Sequence, residues 1–196
     1  MIEWLLGLDR TVFLSMNSFH FSALDKLMIF FSGQIIWLPI LGLALWNAYK
    51  FFDRKIFWLF ILFLLMTLII SDVTSSYIIK NLADRLRPCR ELDLKELIYQ
   101  FGQKCGGKYG FVSSHAANSL ALVVFTMLTI NFKNKWTRLF WFMPFIVSFS
   151  RIYLGSHYPG DILGGFVVGG FSGLIFAWFF RELDANAPNP EKFSHS

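Results

Sequence analysis

Charge is scarce in this sequence. Asp, Glu, Lys and Arg make up 16% of its 196 residues, against roughly 25% in soluble domains, which argues against an ordinary water-soluble globule. Its net charge of +5 is spread over loops, so there is no basic stripe of the kind that nucleic-acid binding needs. No cleavable signal peptide is legible: Glu3 and Asp9 stand where a basic n-region belongs, and no small-residue cleavage site follows. No Asp/Glu/His set has the makings of a metal site, and no cofactor is implied. Cysteine occurs twice and histidine four times.

Apolar side chains fill the space that charge leaves. They are 55% of the chain, and phenylalanine alone occurs 24 times. They come in runs separated by short polar stretches, the pattern of a helical bundle in lipid. The fold class expected is all-α: a polytopic membrane helical bundle of about five transmembrane helices plus an N-terminal interfacial helix, with six transmembrane helices as the alternative. The spans expected are 27 or 34 to 46, 56–79, 116–130, 136–153 and 162–180. Ser32, Gly33 and Gln34 blur the start of the first. The second is expected to continue as helix to Arg87, and the fourth to kink at Pro144. Leu5, Leu8, Val12 and Met16 recur at helical spacing, so 1–25 reads as a segment lying on the membrane surface. One membrane-embedded domain over 1–196 suffices, with an extracytoplasmic loop at 81–114 and a cytoplasmic tail at 181–196. Gly165, Gly169 and Gly173 form a small-xxx-small series suited to close helix packing.

Basic loops orient the bundle. Lys50, Arg54 and Lys55 follow the first span; Lys133, Lys135 and Arg138 follow the third. Short basic loops stay cytoplasmic, and in a five-span chain both loops lie on that side. The segments 80–115 and 151–161 then share the opposite, periplasmic or extracytoplasmic, face of a cytoplasmic (inner) membrane. Cys89 and Cys105 both fall there, where an oxidising compartment permits a disulfide. Closing their loop of about 15 residues contributes about 3 kcal/mol on the chain-entropy model. The other reading is two unpaired thiols.

Three polar clusters end apolar segments on that face. Lys80 and Arg87, with Pro88 behind them, can reach round one anion, Arg87 in bidentate fashion and Lys80 as a point charge. Ser113 and Ser114 precede an apolar helix whose free N–H groups suit phosphate, and His115 stands beside them as a proton donor. Arg151 closes the fourth span. His157 and Asp161 open the fifth, where a carboxylate on one imidazole nitrogen leaves the other free to attack. Each cluster has a plainer reading alone: snorkelling cations, a capped helix, a Tyr-Pro-Gly turn. Arg85 and Arg90 are nearby cations and weaker candidates. Asp72, within the second span, is expected to face the bundle interior and find a partner there, first in simple structural hydrogen bonding, with a role holding a cation or the Asn118 amide as the second reading.

The order Lys-x6-Arg-Pro, Ser-Ser-His, Ser-Arg-x5-His-x3-Asp resembles the signature of the type 2 phosphatidic acid phosphatase superfamily of membrane lipid phosphate phosphatases, over about residues 50–180. Ser114 stands where that family's pattern has glycine. The resemblance implies roles. His157 attacks phosphorus and forms a phosphohistidine, Asp161 orients it, and His115 protonates the leaving oxygen and then activates water. Lys80, Arg87, Ser113, Ser114 and Arg151 hold the phosphoryl oxygens, without a metal. The implied partners are the bilayer and a lipid phosphate. Undecaprenyl diphosphate ranks first, lipid A phosphate a close second, then phosphatidylglycerophosphate or phosphatidic acid. A lipid phosphotransferase and a non-catalytic lipid-phosphate binder or transporter are the alternatives. Oligomeric state is not legible.

Overall fold

The computed structural model describes residues 2–102, 105–130 and 135–184. Among these the chain is helical, and the only strand-like pairing is an isolated bridge between Leu86 and Tyr109. The helices are α1 (Ile2–Asn17), α2 (Ser22–Ser32), α3 (Trp37–Phe51), α4 (Arg54–Val73), α5 (Lys80–Ala83), α6 (Ser114–Thr129), α7 (Met143–Tyr153) and α8 (Pro159–Leu183). A π-helical stretch, Thr74–Ile79, joins α4 to α5. By length and composition, Arg54–Ala83 and Pro159–Leu183 can each cross a membrane. The pair α2–α3, bent by 54° at the Gly33 break, makes a third if it counts as one span. Ser114–Thr129 and Leu139–Tyr153 are shorter apolar helices. Lys133 and the tail beyond Asp184 lie outside the described residues.

The core is organised around α6 and α8, with α4 against both and α7 against α6. Their approach is close because α8 presents glycine where α6 presents backbone. A Cβ on Gly165 would lie 2.5 Å from the Ser113 carbonyl oxygen, and one on Gly173 would lie 2.9 Å from that of Ala121. Ala116, Ala117 and Ala121 on α6 are fully buried. Small residues let backbones meet where lipid offers no hydrophobic drive to association. Below this contact Phe60, Phe125 and Phe180 meet edge-on or tilted, with centroids 5.2–6.0 Å apart.

α1 lies against α7 and α8. Phe13 is buried edge-on against Tyr158, whereas Trp4, Leu5, Leu8 and Val12 are exposed. One apolar face is thus docked and a second left outward.

Two local expectations are corrected. The helix from the second span does not continue to Arg87: it ends at Ala83, and Asp84 takes a left-handed conformation (φ 47°). The chain then turns into extended backbone, where Arg87 N–H donates to the Lys108 carbonyl and Gly110 N–H to that of Arg85. Lys80 and Arg87 are therefore not two turns of one helix. Pro144 does not kink the fourth segment either. It sits in the first turn of α7, preceded by a 3-10 stretch, where its missing N–H removes no helical bond.

Candidate active site

Arg87 leaves its extended segment and crosses the top of the bundle. Its Nε donates to the Tyr109 carbonyl at 3.1 Å and its Nη1 to the Ser156 carbonyl at 3.3 Å. The same Nη1 stands 3.0 Å from His157 Nε2. His157 lies in the turn between α7 and α8, whose Gly155 has φ +71°. Its Nδ1 is 3.3 Å from Asp161 Oδ2, one helical turn on. That oxygen also accepts the Tyr158 N–H at 3.0 Å. A carboxylate on Nδ1 and a guanidinium donor on Nε2 select the tautomer with hydrogen on Nδ1 and a lone pair on Nε2.

His157 and Asp161 are almost wholly buried. Burial holds the His157 imidazole well below its ordinary pKa, and the charges of Arg87, Arg151 and Lys80 push in the same direction. Three cations thus converge on one neutral imidazole, an arrangement that suits an anion carrying more than one charge.

Ser113 caps α6, its side chain accepting the Ala116 N–H, while its own N–H donates to the Asp161 carbonyl at 2.9 Å. Its hydroxyl is therefore engaged with its own helix. Ser114 Oγ accepts from Lys80 Nζ at 3.4 Å. His115 lines a cavity of about 600 Å³ between α3, α4 and α6, with Trp37, Leu41, Leu68 and Val73 as its apolar wall. Asp72 and Asn118 supply a polar patch in it, with Asn118 Nδ2 donating to Asp72 Oδ1 at 2.9 Å. Arg151, buried on α7, donates to the hydroxyl and carbonyl of Ser32 on α2, tying the cation to the end of the bent pair.

The loop over the site is fastened twice. Cys89 and Cys105 are joined in a disulfide, Cα atoms 5.9 Å apart, which brings Gly106 over the Arg87 guanidinium: a Cβ there would lie 3.4 Å from its Cζ. Farther along, Leu94 is buried in the Phe13–Tyr158 cluster, and Tyr99 N–H donates to Asn17 Oδ1 at 2.7 Å. Cys89→Ser is expected to lower stability by about 3 kcal/mol on the loop-entropy account and to weaken phosphate binding through Arg87. Thermal midpoints and KM before and after reduction check this, and two free thiols in protein from an oxidising compartment would refute the bridge.

Sequence reasoning undervalued Arg85 and missed Asp9. Arg85 Nη1 donates to Asp161 Oδ1 at 3.0 Å and Nη2 to Asp9 Oδ2 at 2.7 Å. Nothing in the sequence links an acid on an amphipathic surface helix to a turn beyond residue 150.

Comparison with known proteins identifies the family. The profile of the PAP2 superfamily matches residues 57–184. The chain is 34% identical to a lipid A 4'-phosphatase of Bacteroides thetaiotaomicron over 187 residues, 94% of this chain and 82% of that protein. It is 30% identical to the undecaprenyl-diphosphatase BcrC of Bacillus subtilis, over 87% of this chain and 81% of that protein. Its fold resembles the crystal structure of a PAP2-type phosphatidylglycerolphosphate phosphatase from Bacillus subtilis, with TM-score 0.67 and 16% identity over 93% of this chain and 89% of that one. This chain belongs to the PAP2 superfamily.

Proposed function

We propose that the protein is a metal-independent phosphatase of an envelope lipid, acting through a phosphohistidine on His157. One observation carries the reading: His157 Nε2 is 3.0 Å from an Arg87 donor while Nδ1 faces Asp161. The group that would bind a phosphoryl oxygen therefore sits at the nitrogen that would attack phosphorus. Arg87, Lys80 and Arg151, with the free N–H groups at the start of α6, hold the equatorial oxygens, the electrostatic work that phosphoryl transfer mainly needs. Burial, and then the charges of Arg151, Lys80 and Arg87, hold the pKa of the His115 imidazole down to about 3 before substrate binds; the negative charge of a bound phosphoryl group opposes those cations and lets His115 carry a proton. The Nε2 lone pair forms the N–P bond as the P–O bond to the lipid breaks, and His115 gives that proton to the departing oxygen. His115, now neutral, takes a proton from water. The hydroxide cleaves the N–P bond, releasing phosphate and restoring His157.

The site belongs on the extracytoplasmic side of the inner membrane on this reading. Arg54 begins α4, with Lys50 in the last turn of α3 just before it, whereas Lys80 lies beyond the far end of α4, and the disulfide suits an oxidising compartment. The cavity beside His115 favours a lipid A-type sugar phosphate over undecaprenyl diphosphate. Its Asp72–Asn118 pair can take hydroxyl and amide groups of a sugar leaving group, whereas the Asp72 carboxylate repels a leaving group that itself carries a phosphate. The 34% identity to a lipid A 4'-phosphatase points the same way.

Phosphate release from a lipid panel in detergent with EDTA tests the proposal. Release is expected from lipid A faster than from undecaprenyl diphosphate, with inhibition by vanadate, which mimics the trigonal-bipyramidal phosphoryl group. Activity lost in EDTA and restored by Mg²⁺ would overturn the mechanism, and the opposite substrate order would overturn the assignment. Asp72→Asn is expected to narrow the preference about tenfold, mainly by improving turnover of the diphosphate.

A further inference from the structure

Asp9 belongs to α1, far in sequence from the catalytic motifs, yet its carboxylate is spent wholly on them. Oδ2 takes the Arg85 Nη2 donor at 2.7 Å, and Oδ1 takes the Gly160 N–H at 2.7 Å. Gly160 is the second residue of α8, so this is one of the N–H groups a helix start leaves without an internal partner. The first residue is Pro159, which has no N–H, and the third is Asp161 itself. Arg85 is held between two acids, with Nη1 on Asp161 Oδ1 at 3.0 Å, and its guanidinium lies 4.2 Å from the Tyr158 ring centroid. Its side chain is mostly buried at 18% exposure, as is that of Asp9 at 14%.

We infer that Asp9 and Arg85 are positioning residues that act through Asp161, so that the docking of α1 sets the orientation of the His157 nucleophile. The physical argument is a competition for one carboxylate. Asp161 must leave Oδ2 turned to His157 Nδ1 while Oδ1 faces a full positive charge. Asp9 offsets that charge from the far side and fixes the guanidinium plane, and it pins the first turn of α8 from which Asp161 projects. Without Asp9, Arg85 is free to swing towards Asp161 and draw both oxygens into a bidentate pair, the geometry guanidinium prefers. His157 would then lose the partner that fixes its tautomer and its aim. The inference rests on the reading of His157 as nucleophile.

Gly160 offers a way to test this without touching a charge. A Cβ there would lie 2.7 Å from Asp9 Oδ2 and 3.2 Å from its Cγ. The obstacle is the end of a side chain, so the fold accommodates the methyl group by turning the carboxylate aside. By helix propensity Gly160→Ala favours α8. It should nevertheless reproduce Asp9→Asn.

The experiment compares wild type, Asp9→Asn, Gly160→Ala, the double variant and His157→Ala, reading kcat, KM, thermal midpoint and phosphoenzyme formed in a rapid quench. Both single variants are expected to lose about tenfold in kcat, with KM within about twofold. Phosphoenzyme formation should slow to match, and both single variants should remain folded at the assay temperature, their midpoints showing a single cooperative transition. The double variant should be no worse than Asp9→Asn, because both changes remove one contact. Wild-type kcat in Gly160→Ala, or additive losses in the double variant, would overturn the positioning role. A His157→Ala protein that kept its activity would instead overturn the nucleophile assignment, whatever the other variants did.

Discussion

His157→Ala is expected to abolish both phosphate release and covalent labelling, reducing turnover to the level of the lipid in detergent alone. The loss should be on the order of 10⁴-fold or more, since alanine removes the nitrogen that would form the covalent intermediate. Its two ring nitrogens are both engaged, one by Asp161 and one by Arg87, so alanine removes the attacking atom and the hub of the polar network together. Loss of activity alone would not separate these effects. Rapid-quench labelling does: His115→Ala should stop turnover yet still form phosphoenzyme with a diphosphate, whose leaving group departs without a proton, while His157→Ala should form none with any substrate. Near-normal turnover by His157→Ala would overturn the nucleophile assignment.

Gly169→Val is expected to prevent accumulation of folded protein, whereas Gly170→Ala, one residue on, is expected to be tolerated. A Cβ at Gly169 would fall inside contact with the Ala117 carbonyl oxygen, 2.8 Å from its carbonyl carbon and 3.0 Å from its Cα. These are backbone atoms in the middle of α6 and cannot turn aside. Valine would have to part α6 from α8, the most extensive helix contact among the described residues. Overpacking a core commonly costs about 1–3 kcal/mol, and a clash with backbone lies at or beyond the upper end. At Gly170 the nearest atom to an added Cβ is Leu120 Cδ2 at 3.8 Å, an ordinary contact. Fluorescence-detected size exclusion and thermal midpoints of the two variants check the contrast. Equal behaviour would mean that α8 does not depend on glycine for its approach to α6.

The α6–α8 contact also links stability to chemistry. Ser113 caps α6 and donates its N–H to the Asp161 carbonyl, so the start of one helix is fastened to the first turn of the other. Separating them anywhere along their length should disturb the relation of His115 to His157. Gly165, opposite the Ser113 carbonyl oxygen, is the α8 glycine that meets the capping residue of α6 directly.

Several features of this protein were legible in the sequence because the physics behind them is local or compositional. Scarce charge and long apolar runs dictate helices in lipid, since every backbone polar group there must be satisfied within its own segment. The glycine spacing on α8 announced a close helix contact. Lys80, Arg87, the Ser113–His115 start of α6, Arg151, His157 and Asp161 stood out as candidates because few residue types can hold and transfer a phosphoryl group. Asp72 could be expected to find a partner because an acid within an apolar span needs one, and it holds the Asn118 amide.

Non-local contacts decided the rest. Helix propensity gives no reason for α5 to stop at Ala83; it stops as the chain turns at Asp84 into the Leu86–Tyr109 bridge, a pairing with the far side of the disulfide loop. That turn takes Arg87 off the helix axis and delivers it to His157. The place of Pro144 in a first turn likewise depended on where α7 begins, which its own sequence leaves open. The Asp9–Arg85–Asp161 chain and the Asp9 bond to Gly160 exist only once α1 docks against α8. Their partners are separated by 76 to 151 residues, and the strength of a buried polar contact depends on geometry that no local pattern encodes.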